Sequence, residues 1–240
     1  MSMIPKQGPV IAIDGPAGTG KSTATRRLAD ALGYVHVDTG AIYRAVALTT
    51  LQKLGQVDPA ETLPPELGPS SVEIARTCHL EFKRNAKKNP ANRILANGKD
   101  VTDQIRTPWV SMAASRVSAV PEVRAALLGL QRRLGCAGPS ILEGRDIGTV
   151  VFPDADVKFF LSASVEERAK RRLIELEAAG ADAPSFDEVK AQIIDRDRND
   201  SERAVAPLKK APEAVEVDTT AMTLDQVVAF MEKTVRERIS

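Results

Sequence analysis

The stretch VIAIDGPAGTGKSTATRRLADAL, Val10 to Leu32, changes character twice. It opens with VIAID, an apolar run closed by an acid, which is the pattern of a central parallel strand buried on both faces. From Lys21 the apolar spacing becomes helical, and Gly33 is placed to cap the helix end. Between them lies GPAGTGKS, Gly15 to Ser22, which matches G-x-x-x-x-G-K-[ST] in full. A strand that enters a glycine-rich turn and opens a helix predicts an α/β fold with the turn at the carboxyl edge of a parallel sheet.

The residue types in that turn have a physical purpose. Gly15 and Gly20 accept backbone angles closed to residues with a Cβ and let amide groups approach a ligand closely. Successive N–H groups then form a concave nest for phosphate oxygens at the positive end of a helix. Lys21 neutralises charge on terminal phosphates, and the Ser22 hydroxyl is a ligand for Mg²⁺. Gly15, Pro16, Ala17, Gly18, Thr19, Gly20, Lys21, Ser22 and Thr23 therefore read as a site for a nucleoside triphosphate. A bare glycine-rich turn is the competing reading, and the strand and helix flanking the loop weigh against it.

Strand and helix signals go on alternating. YVHVD (34–38), SILEG (140–144), VKFFL (157–161) and AVEVD (214–218) resemble further buried strands, giving a five-stranded parallel sheet. Helical patterns occupy 41–55, 164–180, 185–200 and 223–239. The middle departs from this rhythm. Pro59 to Pro69 reads as a surface connection, and VEIARTCHLEFKRN (72–85) and NRILANGKDVTDQI (92–105) alternate apolar and polar residues around an Asn97-Gly98 turn. A small antiparallel sheet is expected there, inserted between residues 60 and 107.

Composition narrows the function classes. Lys plus Arg (33) balances Asp plus Glu (32), so no global field attracts nucleic acid or anionic lipid. Arg outnumbers Lys 20 to 13, which favours paired contacts to phosphate or carboxylate oxygens. Cys78 and Cys136 make no disulfide framework and lack metal-ligand spacing. No run approaches the ~18 apolar residues of a membrane span, and MSMIPKQGP is no signal peptide, so a cytoplasmic protein is expected. A guanine-reading N-K-x-D is absent, and the nearest strand to an ATPase acid, SILEGRD, ends in Glu143 with Arg145 and Asp146 beyond it. That pair suits a second substrate site at the sheet edge.

Four stretches, IDGPAGTGKST (13–23), VDTGAIYR (37–44), EGRDIGTVVFPDA (143–155) and RDRNDSERAVAPL (196–208), resemble the bacterial-type cytidylate kinases. Enzymes of that family move the γ-phosphate of ATP onto CMP or dCMP. The likeness runs from Val10 to the final helix in family order, with Glu143 where some relatives carry Asp. It implies a three-layer P-loop α/β fold with core segments 1–59, 108–163 and 204–240. A monophosphate-binding insertion at 60–107 and a helical lid at 164–203 complete that plan. It further implies ATP as phosphate donor and Mg²⁺, and a monomer without nucleic-acid or membrane partners is expected.

Site roles follow from the same resemblance. Lys21, Arg145 and Arg196 would be catalytic. Thr39, Arg44, Arg106, Ser115, Arg124, Arg145, Asp146, Asp200 and Arg203 would bind CMP, with Asp146 toward the cytosine and Asp200 toward the ribose. On residue type alone, Arg44 could be a solvated helix residue and Arg124 a stem packed on the core with its head in water. Arg168, Arg171 and Arg172 share one helical face, which is equally a solvated surface paired with Glu or part of a lid. His36 and His79 read as structural, and Trp109 as too isolated for a stacking platform. The basic segment Lys83 to Arg93 has no assigned purpose. Another small P-loop kinase, or a non-catalytic nucleotide-responsive module, is the alternative.

Overall fold

A computed structural model describes residues 4–56, 62–84, 92–178 and 184–239. In chain order the elements begin with β1 (Val10–Asp14), α1 (Lys21–Leu32), β2 (Val35–Asp38), α2 (Thr39–Lys53) and α3 (Leu67–Thr77). The strands β3 (Leu80–Arg84), β4 (Asn92–Ala96) and β5 (Lys99–Asp100) follow, then α4 (Pro108–Ser118) and α5 (Pro121–Cys136). The chain closes with β6 (Ser140–Gly144), β7 (Val157–Ser162), α6 (Val165–Ala178), α7 (Phe186–Glu202), β8 (Val215–Asp218) and α8 (Leu224–Arg238). Two compact units result, one of Met1–Val37 with Arg132–Ser240 and the other of Asp38–Gln131.

The first unit is built on a five-stranded parallel sheet in the order β2-β6-β1-β7-β8. β1 lies at its centre with every residue buried, as its unbroken apolar run requires. Ile11, Ile13, Phe159 and Leu161 pack with Leu28 of α1 and Met231 of α8 in one apolar cluster. Each fully buried aliphatic side chain of this kind contributes roughly 1.5–3 kcal/mol. The register aligns Asp14 with Gly144 on one side and Phe160 on the other, so these strands end level at the carboxyl edge. A second cluster, Ala169, Leu176, Val189 and Ile193, joins α6 to α7.

The second unit carries the antiparallel sheet β3-β4-β5 and the helices α2, α3 and α4. Asp38 caps α2 by accepting the Ala41 N–H at 2.9 Å, and Thr107 caps α4 in the same way through Val110. Arg93 binds both Asp100 and Asp103, bracing the turn after β4. Those bonds hold the Asp100 carboxyl down at about 2.

One expectation fails locally. VEIART, read as the start of a strand, forms the last turns of α3, which also takes in the end of the supposed Pro59–Pro69 connection. Ile74 and Ala75 are buried there while Glu73 and Arg76 are exposed, so over this short stretch a helical face mimics alternation. The strand begins only at Leu80. Most of the basic segment Lys83 to Arg93 lies outside the described residues.

Candidate active site

The glycine loop sits where β1 ends and α1 begins, and packing dictates part of its composition. A Cβ on Gly15, which has φ +149°, would lie 2.1 Å from the Leu161 carbonyl oxygen of β7. At Gly18, φ +78°, a Cβ would meet Arg168 Cβ at 2.9 Å. Both glycines are thus demanded by the protein's own backbone and by α6 as well as by loop geometry. Gly20 stands in the left-handed region and opens α1.

Lys21, at the first position of α1, is buried, and its Nζ donates to the Pro16 carbonyl at 2.9 Å. Burial, and after it the charge of Arg145, pushes its ammonium down to about 7. Arg196 adds to that repulsion, while Glu143 and Asp14 oppose it. Positive groups from α1, the end of β6 and α7 therefore converge beside the glycine loop.

Asp14 ties this loop to the turn that follows β6. Its carboxylate accepts the N–H groups of Ile147 and Gly148, each at 2.8 Å. Burial raises its pKa to about 6 against the lowering effect of those two N–H groups. The tie positions Arg145 and Asp146, which lie just before a π-helical turn, Ile147–Val151. Arg145 Nε donates to Asp200 Oδ2 at 2.8 Å, and Arg203 Nη2 lies 3.7 Å from Asp146 Oδ1. Burial disfavours the charge on Asp200, but Arg145, Arg196 and Arg203 together hold its carboxyl below the usual range. The structure thus brings Lys21, Arg145, Asp146, Arg196, Asp200 and Arg203 together at one sheet edge.

In the second unit, Thr39 is buried and Arg44 Nη2 bonds Asp38 Oδ2 at 2.8 Å. Arg124 is buried rather than headed into water; its guanidinium lies 5.5 Å from the Tyr43 ring centre and donates to the Ser118 carbonyl. Ser115 is half-buried on α4, and Arg106 is exposed at the end of a short 3-10 turn.

Several functional-looking contacts had little or no signal in the sequence. The Ser22 hydroxyl donates to Glu143 Oε2 at 2.6 Å, and His36 Nε2 lies 2.8 Å from Glu143 Oε1. His79, by contrast, is exposed and outside the strands, paired with Glu81. The arginine face of α6 divides by position. Arg168 is buried, donating to the Ala17 carbonyl of the glycine loop and pairing with Asp197 of α7 at 2.6 Å. Arg171 donates to Thr219 Oγ1 at 3.0 Å, and Thr219 in turn donates to the Thr19 carbonyl. Only Arg172 is a simple surface pair, with Glu175. The i, i+3, i+4 spacing gave the shared face but not its burial.

No group of three or more His, Cys, Asp or Glu among the described residues could hold a metal. Ser22 and Glu143 nevertheless offer hard oxygen donors 2.6 Å apart beside the loop, which fits a Mg²⁺ shared with phosphates rather than one caged by protein alone.

A family model described as cytidylate kinase matches residues 11–237. The chain belongs to the cytidylate kinase family. It is 48% identical over 240 residues to a cytidylate kinase of Geobacter sp. (strain M21), covering 100% of this chain and 98% of that protein. With a cytidylate kinase of Geobacter sulfurreducens it shares 50% over 238 residues, covering 99% and 97%. A bifunctional pantoate ligase/cytidylate kinase of Synechococcus sp. (strain CC9311) is 44% identical, with 97% of this chain matched to 45% of that protein. Such likeness along the whole length favours cytidylate kinase over the other small P-loop kinases and over a non-catalytic module. Among the described residues no helix is long and apolar enough to cross a membrane.

Proposed function

We propose that this chain phosphorylates CMP and dCMP to CDP and dCDP by in-line transfer of the γ-phosphate of ATP. The observation that carries the proposal is the convergence of Lys21, Arg145 and Arg196 beside the glycine loop. Phosphoryl transfer asks a protein for position and charge neutralisation, and little covalent chemistry. Gly15 to Thr23 hold the triphosphate through backbone N–H groups, and Lys21 neutralises its terminal oxygens. Ser22 and Glu143 are the residues that would hold Mg²⁺, which when bound neutralises charge on the β- and γ-phosphate oxygens.

The acceptor nucleotide is assigned Arg145, Asp146, Asp200 and Arg203, and the family resemblance assigns it Thr39, Arg44, Arg106, Ser115 and Arg124 as well. Asp146 accepts the cytosine amino group, and Asp200 faces the ribose hydroxyls. The attacking oxygen belongs to an already ionised phosphate, so no general base is needed. Residues 164–203 act as a lid that excludes water. An assay of ADP release with ATP against a panel of monophosphates tests this reading. CMP and dCMP should turn over about a hundredfold more efficiently than UMP, taking two mismatched base contacts. Equal turnover of UMP or AMP would overturn it.

A further inference from the structure

His36 is the residue at this edge that the proposed mechanism leaves without a task. It occupies β2, the strand beside β6, and its side chain is 12% exposed. Its Nε2 lies 2.8 Å from Glu143 Oε1, while the other oxygen of the same carboxylate accepts the Ser22 hydroxyl at 2.6 Å. A carboxylate oxygen can only accept, so Nε2 carries the proton in this pair. The Glu143 side chain is 5% exposed, and three elements, α1, β2 and β6, thus meet through one buried carboxylate.

We propose that His36 is a positioning residue for the phosphate-and-metal end of the donor site, acting through Glu143. A glutamate has one more rotatable bond than an aspartate, and an anchored oxygen at one end restricts where the other can lie. With Oε1 held by the imidazole, Oε2 is presented to Ser22 and to whatever cation Ser22 ligates. Partners of this kind orient ligands, and their loss typically weakens metal affinity by 10–100-fold. The fold places the histidine for this: β2 lies beside β6 in the sheet, and His36 Nε2 reaches the Glu143 carboxylate on that neighbouring strand.

The inference rests on the loop's reading as a Mg²⁺–ATP site, and its test separates the two. Binding of a non-hydrolysable ATP analogue is measured by calorimetry with Mg²⁺ and with EDTA. His36→Leu should lose about tenfold in the Mg²⁺-dependent part of the affinity and nothing in the metal-free part. His36→Gln, whose amide can donate from nearly the same place, should stay within about threefold of wild type. KM for Mg²⁺–ATP should rise in the leucine variant while KM for CMP stays put.

The wild-type protein gives a readout that needs no variant to fold. The chain has two histidines, and the exposed His79 is an internal control. In a nitrogen-15 spectrum the His36 ring signals should move when Mg²⁺ is added to the analogue complex, and those of His79 should not. Unchanged affinity in His36→Leu, equal losses in Leu and Gln, or a motionless His36 signal would each overturn the role of His36. If wild type bound no analogue with or without Mg²⁺, the loop reading itself would fall, and this proposal with it.

Discussion

Asp14 holds Gly148: the carboxylate at the end of β1 accepts the Gly148 N–H at 2.8 Å, and the neighbouring Ile147 N–H at the same distance. Phosphate loop and arginine-bearing turn are thereby locked to one another at the centre of the sheet. The cost is a buried carboxyl whose pKa burial raises to about 6. Because this lies above the ordinary 3.8, the folded chain holds the proton more tightly than the unfolded chain between those values. The stability contribution is complete below pH 3.8 and is lost as pH rises through 6. Urea unfolding of wild type and Asp14→Asn at pH 4 and pH 7.5 should therefore differ. Relative to the variant, wild type should lose about 2 kcal/mol between them. A gap that does not move with pH would refute the assignment.

Lys21 predicts a proton linkage. Its ammonium is pushed down to about 7 by burial and Arg145, and phosphate oxygens would raise it again. At pH 8, where ATP itself is fully ionised, nucleotide binding should take up close to about one proton. Calorimetry in buffers of different ionisation enthalpy measures this, and proton release would contradict it. Lys21→Ala should abolish the uptake, stay folded, and lose about 3 kcal/mol or more of transition-state stabilisation in kcat/KM.

How much of this is legible in the sequence depends on the length scale of the signal. β1, the loop and α1 were readable because the run VIAID, the glycines and the helical spacing all lie within a few turns of one another. The partners of these residues were not. Asp14 meets Gly148 across more than a hundred residues, and nothing near Asp14 in the chain announces it. Arg168 looked like any helical arginine until the fold placed Ala17 and Asp197 around it. VEIART reads as a strand for the opposite reason, since six residues carry too little periodicity to separate a helix end from a strand.

The Arg168–Asp197 pair bears on whether residues 164–203 act as the proposed lid. It links α6 to α7, and the same guanidinium touches the Ala17 carbonyl of the loop. Hydrogen exchange across 164–203 should slow when ATP analogue and CMP are both present, because the arginines there gain phosphate partners. Asp197→Ala should leave a buried arginine without its carboxylate and cost about 1–3 kcal/mol of stability. Equal exchange with and without ligands would argue against a lid.

Base choice should depend on Asp146. Its carboxylate can accept from the cytosine amino group but repels the uracil carbonyl, whereas an amide can turn and donate. Asp146→Asn should narrow the CMP-to-UMP ratio of kcat/KM by about tenfold or more. A ratio that survives the substitution places base reading elsewhere.

In the proposed reaction the charge cluster beside the glycine loop stabilises direct transfer of the γ-phosphoryl group from ATP to CMP. Labelling that group and following it in a single turnover tests the transfer itself. With ATP carrying phosphorus-32 at the γ position, the label should appear in CDP, or in dCDP when dCMP is the acceptor. Lys21→Ala should slow its appearance by about a hundredfold or more. Label released as inorganic phosphate while CMP stays unmodified would show hydrolysis in place of transfer and refute the proposed reaction.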